Sequence, residues 1–234
     1  SDLPNPQAVV SYECHVRGMT VHPSSGAPAA KRGKYAGLAG TLGKGTGLDH
    51  VKRLGANVVE LLPTSEFSES TDPYNWGYAT VYYFAPESSY AREPEKGSGY
   101  YEFKQLVDDL HAQGIAVVLD MVYNHVGGPN IYATIDKKCY FRLNPDLSFS
   151  NHSACGNDVK TESPMMRRLI LDTIRYYMEE FHVDGFRLDL AELIDMHTML
   201  AIRDVARAIN PKAILISEPR SEEHTSELQS RQSI

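Results

Sequence analysis

The stretch that most constrains the chain is Val183-Asp184-Gly185-Phe186-Arg187-Leu188-Asp189-Leu190-Ala191. Val183, Phe186, Leu188 and Leu190 are apolar and belong in a core, yet Arg187 and Asp189 interrupt them. Side chains two apart in a β-strand share a face, so a strand over 186–190 brings Arg187 and Asp189 to the same side. Charges in so apolar a strand are costly unless they meet each other or a ligand. The segment alone fits a structural ion pair inside a barrel as well as it fits a functional site. The rest of the chain has to decide.

Residues 9–16 are β-rich and end at Arg17-Gly18, which predicts a first strand. Residues 22–47 hold Pro23, Pro28 and a run of glycines, and read as loop. Within them Gly43-Lys44-Gly45-Thr46 fails the spacing of a phosphate-binding loop, and no strand leads into it. A helix is expected over 47–54 and a short buried strand over 57–62. Helical periodicity over 103–113 stops at Gly114. The run 115–122 is apolar except for Asp120, which suits a strand buried on both faces. Residues 123–162 read as a long polar connection. Ser163-Pro164 is a helix start with proline at the first helical position. Ile170, Ile174, Tyr177, Met178 and Phe181 then make its apolar face. A further helix over 198–209 and a strand over 213–217 follow.

The order is strand, helix, strand, helix, which predicts parallel strands joined by right-handed crossovers. Five strands are visible, near 9–16, 57–62, 115–121, 184–189 and 213–217. Polar residues gather after three of them: Asn124-His125, Arg187 with Asp189, and Glu218. In a parallel (β/α)8 barrel, that end is the catalytic face. A doubly wound open sheet also places sites there, but no strand is followed by a glycine-rich dinucleotide turn. Fold class is therefore α/β, a partial (β/α)8 TIM barrel covering roughly strands 1–5. Hydrophobic content of 42% supports a real core, and a net charge of -7 argues against a nucleic-acid partner. No apolar run approaches the ~20 residues of a membrane-spanning helix. Cys14, Cys139 and Cys155 are too scattered for a metal site or a disulfide framework. They read as mostly buried thiols, with Cys139–Cys155 the one pairing to test.

Three segments resemble successive signature regions of the α-amylase superfamily of glycoside hydrolases, in order and in spacing. They are Asp120-Met121-Val122-Tyr123-Asn124-His125, Gly185-Phe186-Arg187-Leu188-Asp189 and Ile216-Ser217-Glu218-Pro219. Four more are similar to the pullulanases and isoamylases, which hydrolyse α-1,6 branches in starch and glycogen. These are Glu13-Cys14-His15-Val16-Arg17-Gly18, Tyr74-Asn75-Trp76-Gly77-Tyr78, Tyr140-Phe141-Arg142-Leu143-Asn144, and Ser150-Asn151 followed by Cys155-Gly156-Asn157. The resemblance covers nearly all of residues 8–219.

It implies a retaining glycosidase, which needs two carboxyl groups roughly 5 Å apart. Asp189 would be the nucleophile and Glu218 the proton donor. Arg187 would favour the charged form of Asp189, whereas Glu218 needs a raised pKa to hold its proton. Tyr78 resembles the aromatic platform under the sugar, and His125 the imidazole that hydrogen-bonds its hydroxyls. Asp120 and Asn124 are expected to support the strand end, and Trp76 to hold its loop. His15, Arg17 and Glu60 are expected to be structural, and Asp184 to lie away from the catalytic end. The implied partner is an α-glucan, with neither nucleic acid nor membrane. No cofactor is required and no metal ligand is assigned, while calcium is left open.

Some features depart from the pattern. Ala79-Thr80 stands where pullulanases have Asp-Pro, and Arg220 follows Glu218-Pro219 where tryptophan is usual. The family's His-Asp pair near a seventh strand is absent. Residues 220–234 lack apolar periodicity and are similar to the translated sequence of a sequencing-library adapter, so the domain is read as 1–219 with a disordered or artefactual tail. The chain begins at Ser1 and is read as a fragment of a longer protein, itself inactive. Stopping after a fifth strand predicts free first and fifth edges, with Val118, Leu119 and Phe186 losing cover. The leading function is α-1,6 debranching. An α-1,4-glucan hydrolase, a glucan transferase and a non-catalytic sugar-binding barrel are the alternatives. Compartment and oligomeric state are not legible.

Overall fold

The computed structural model describes residues 3, 5–68 and 74–219; the expectation for residues 220–234 lies outside them. Five parallel strands form one sheet in the order β1 (Ser11–Cys14), β2 (Val58–Leu61), β5 (Ala116–Met121), β6 (Gly185–Leu188) and β7 (Ile214–Ser217). Each is shorter than its hydrophobic run, because pairing stops where the neighbouring strand ends. The order ascends without reversal, so the strands contain no switch point of the doubly wound kind. At Gly185 a Cβ would lie 1.9 Å from Ile214 O, so only glycine allows β6 and β7 this approach.

Among the described residues six α-helices connect the strands: α1 (Tyr35–Ala39), α2 (Leu48–Arg53), α3 (Ser98–His111), α4 (Ile131–Tyr140), α5 (Pro164–Glu180) and α6 (Met196–Ile209). The loop expected over 22–47 contains α1, and the long polar connection contains α4. α1 spans only five residues and α4 is broken by non-helical dihedrals at Asp136, so neither sustains a helical period in the sequence. α3 begins before the predicted residue 103, at Ser98, whose hydroxyl donates to Glu102 at 2.7 Å and so secures a first turn poor in helix formers. An antiparallel pair, β3 (Ser65–Phe67) and β4 (Thr80–Pro86), interrupts the strand–helix alternation after β2. Its two halves are separated by the motif 74–78, and the pairing is irregular, so no tight turn marks it in the sequence.

The two faces of the sheet are unequal. Val59, Leu61, Val117, Leu119, Met121, Phe186, Leu188 and Leu215 join the large core beneath the helices. The opposite face has a small cluster of Val58, Ala116 and Val118 covered by Leu3. Toward the carboxyl ends that face turns polar. The expected loss of cover is corrected: Val118, Leu119 and Phe186 are each 0% exposed. Register is the reason, since Leu119 and Phe186 pair with each other on the helix side and only Val118 faces the opposite way. β1 and β7 are the edges of the described sheet, as predicted. The cysteine reading is corrected as well, since none of the three forms a disulfide and only Cys14 is buried, its thiol pushed up to about 12 by burial. Cys139 lies instead 3.6 Å from the Ser163 hydroxyl. Among the described residues no helix is long and apolar enough to cross a membrane.

Candidate active site

The parallel register aligns Asp120 on β5 with Arg187 on β6. Arg187 Nη1 donates to both oxygens of Asp120 at 2.9 Å and to Asp189 Oδ1 at 3.0 Å. Its Nη2 lies 2.7 Å from Glu218 Oε2. One planar guanidinium therefore holds three carboxyl groups, using a fork that a single ammonium does not possess. Asp120 is almost fully buried. Burial pushes it up to about 7, while the charge of Arg187 and the Tyr78 hydroxyl, donating to Oδ2 at 2.6 Å, pull the other way. Tyr78 is itself raised, first by burial and then by Asp120, and so remains a donor.

Asp189 lies one residue beyond β6. Its Oδ2 and its main-chain oxygen both accept from Asn124 Nδ2, at 2.8 and 2.9 Å. Asn124, expected only to support the strand end, thus orients this carboxylate directly. The next residue, Leu190, adopts φ 41° and ψ 52°, a left-handed conformation that costs a branched side chain about 1–3 kcal/mol. The surroundings fix it. Ala191 N–H donates to the Glu218 main-chain oxygen at 2.8 Å, and Leu190 N–H approaches Glu218 Oε2 at 3.4 Å. Strain of this kind clusters at functional sites, and here it couples the segment after β6 to that after β7.

Glu218 is half-buried. Burial raises its pKa, the charge of Arg187 opposes this, and Asp189 adds to the rise through its charge and a hydrogen bond between the two carboxyl groups. One guanidinium, with Nη1 on Asp189 at 3.0 Å and Nη2 on Glu218 at 2.7 Å, draws the two carboxyl groups toward each other, as a glycosidase working with a pair of carboxyl groups requires.

These groups open onto a cavity of about 690 Å³. All five residues singled out in the sequence, Asp189, Glu218, Arg187, Tyr78 and His125, line it. His125 is held by the Asn124 side chain and the Tyr78 backbone; burial lowers its pKa although Asp189 pulls it up, so the ring favours its neutral form. Trp76, expected to hold its loop, is instead 58% exposed and lines the cavity with Tyr74. A tryptophan in a loop gives no sign in sequence of whether it packs inward or outward. Glu13 also lines the cavity and pairs in register with Glu60, whose pKa burial raises. Asp184 sits at the opposite end of β6, accepting from His111 Nε2 and Val117 N–H at 2.7 Å each.

A second polar knot secures the rim. Asp158, buried in the fold, accepts from the hydroxyls of Ser150 and Ser153 and from the backbone N–H groups of His152 and Ser153. Burial alone would raise its pKa, but these donors outweigh it and hold it at about 2. Arg142 braces the neighbouring segment through Glu162 at 2.8 Å and the Leu193 carbonyl at 2.9 Å. Among the described residues no group of three or more histidine, cysteine or acidic side chains is arranged to hold a metal ion.

No family model matches the chain. It is 37% identical over 229 residues to the pullulanase of Bacillus subtilis (strain 168), a match covering 92% of this chain and 31% of that protein. It is 38% identical over 211 residues to isoamylase SU1 of Zea mays, covering 82% of this chain and 26% of the relative. A solved pullulanase from Paenibacillus barengoltzii, in complex with maltohexaose and α-cyclodextrin, superposes with a TM-score of 0.87 at 37% identity, over 94% of this chain and 36% of that one. The chain thus spans about a third of the length of the relatives it matches. Likeness in both sequence and structure over most of its residues settles the kinship: the chain belongs to the α-amylase superfamily of glycoside hydrolases, in the branch of the pullulanases and isoamylases.

Proposed function

We propose that residues 1–219 are the first part of a (β/α)8 catalytic domain, covering strands 1–5, in a protein that hydrolyses α-1,6-glucosidic branch linkages with retention of configuration. The observation that carries this is the bridging of Asp189 and Glu218 by the one guanidinium of Arg187. The relatives named pullulanase and isoamylase, and the solved relative that holds maltohexaose, support an α-glucan as the substrate.

In this reading Asp189 attacks the anomeric carbon and forms a glycosyl ester as the glycosidic C–O bond breaks. Glu218 passes its proton to the departing oxygen. The Glu218 carboxylate then takes a proton from water, whose oxygen attacks the same carbon and releases Asp189. Asn124 and Arg187 hold the two oxygens of Asp189 so that one geometry is offered to the sugar. Tyr78 supplies an aromatic face, and His125 a neutral hydrogen-bonding ring.

An α-1,4 hydrolase or a glucan transferase would use the same two carboxyl groups. Product analysis with the full-length protein on pullulan, glycogen and amylose separates them. Debranching predicts attack on pullulan and glycogen with amylose left intact. Rapid shortening of amylose, or transfer products in place of hydrolysis, would refute it.

A further inference from the structure

His15 follows β1, and its ring joins three segments. Gly18 N–H donates to Nδ1 at 3.1 Å. Nε2 lies 3.1 Å from the Asn75 carbonyl oxygen and 2.9 Å from the Tyr90 hydroxyl. A backbone amide only donates, so Nδ1 accepts; a backbone carbonyl only accepts, so the ring proton sits on Nε2. An imidazolium would turn a second N–H toward the Gly18 N–H, donor against donor. Burial lowers the pKa of His15, the Asn75 carbonyl opposes this, and Arg17 adds to the lowering. Facing the ring are Arg17 from its own segment, Tyr74 with its centroid at 5.7 Å, and Tyr90 at 5.9 Å with Glu87 behind it.

Asn75 passes this grip along the loop. Its Nδ2 donates to the Ser68 carbonyl and its Oδ1 accepts from Gly77 N–H, each at 3.0 Å. The same five residues carry Tyr74, Trp76 and Tyr78 into the cavity wall. Trp76 is 58% exposed and Tyr74 56%, so burial in the core is not what holds this wall, and the hydrogen bonds of Asn75 and the packing of Tyr74 on the His15 ring take its place. Gly18 is part of the device, because a Cβ there would stand 3.1 Å from His15 Nδ1 and 3.0 Å from the Tyr74 hydroxyl.

We propose that His15, as the neutral Nε2–H tautomer, is the positioning residue that fixes the aromatic wall of the cleft, so that glucan affinity depends on it more than turnover does. The proposal rests on the reading of the cavity as an α-glucan site. The test uses the full-length protein and its His15→Phe and His15→Gln variants, with pullulan as substrate. Loss of the ring's hydrogen bonds in His15→Phe predicts a KM rise of about tenfold, with kcat within about twofold of the parent. His15→Gln retains a donor toward Asn75 and should recover part of the KM. The parent KM should rise as pH falls below the ordinary histidine range, and that of His15→Gln should rise less steeply, since of the two histidines in the cavity wall only His125 then titrates. An active parent whose His15→Phe and His15→Gln variants both keep the parent KM overturns the inference alone. So does an unfolded His15→Phe accompanied by a His15→Gln variant with the parent's pH dependence. A parent that hydrolyses no α-glucan overturns the underlying reading instead.

Discussion

Arg187→Lys keeps the positive charge and removes the fork. In the structure Nη1 serves Asp120 and Asp189 at 2.9–3.0 Å, while Nη2 alone serves Glu218 at 2.7 Å. A lysine nitrogen can take the place of one arm only, and the Asp120–Asp189 arm has the more contacts. The bond to Glu218 is then lost. A hydrogen bond between charged partners contributes about 1.5–3 kcal/mol, so stability should fall by about 2 kcal/mol. If the same energy orients Glu218 in the transition state, kcat should drop by roughly 10- to 150-fold at about 1.4 kcal/mol per tenfold. Arg187 is also the main influence holding the Glu218 pKa down, so the basic limb of the pH–rate profile should move to higher pH. Arg187→Ala leaves three carboxyl groups without their cation and should cost about 3–5 kcal/mol. Denaturant unfolding and pH–rate profiles of the full-length protein supply both readings. A lysine variant with parental kcat and an unmoved basic limb would refute the argument.

Glu218→Gln should remove the basic limb of the rate profile, because the raised pKa of Glu218 supplies it; a residual activity that keeps the limb would point to another acid. Tyr78→Phe deletes a donor to buried Asp120 and should destabilise the protein by about 1–3 kcal/mol in thermal or denaturant unfolding, with no change in stability counting against the contact. Asp158 has a depressed pKa, so its contribution is present above about pH 4 and lost as pH falls toward about 2. Amide exchange in residues 150–158 should accelerate over that interval and, in Asp158→Asn, should be fast throughout; protection independent of pH would contradict this.

Strand order was legible from the alternation of strands and helices, and the end where Asp120, Arg187, Asp189 and Glu218 gather was legible because polar exceptions in buried parallel strands fall toward their carboxyl ends. Arg187 and Asp189 needed only the two-residue alternation to be put on one face, and the structure joins them at 3.0 Å. Alternation also misled: Leu119 and Phe186 are as apolar as any inner residue, and only the register assigns them to the helix side. The β3–β4 pair stayed hidden because its strands are separated by a motif rather than a turn. Asn124 and Asp158 act through hydrogen bonds to residues 65 and 5–8 positions away, and spacing says nothing of where an amide or carboxylate will point. Trp76 and Tyr74 were visible as a motif, but nothing in the motif says that both are exposed, or that the Asn75 carbonyl between them meets His15.

The central claim is that Asp189 carries the sugar. The direct measurement is peptide mapping by mass spectrometry of the full-length Glu218→Gln variant, quenched in acid after mixing with an α-maltosyl fluoride. Fluoride leaves without a proton from residue 218, whereas hydrolysis of the ester lacks its base, so the glycosyl-enzyme should accumulate. The account predicts one maltosyl unit on the peptide containing Asp189 and none in the Asp189→Asn, Glu218→Gln double variant. Fluoride release with Asp189 unlabelled, or a label on Asp120, would contradict it.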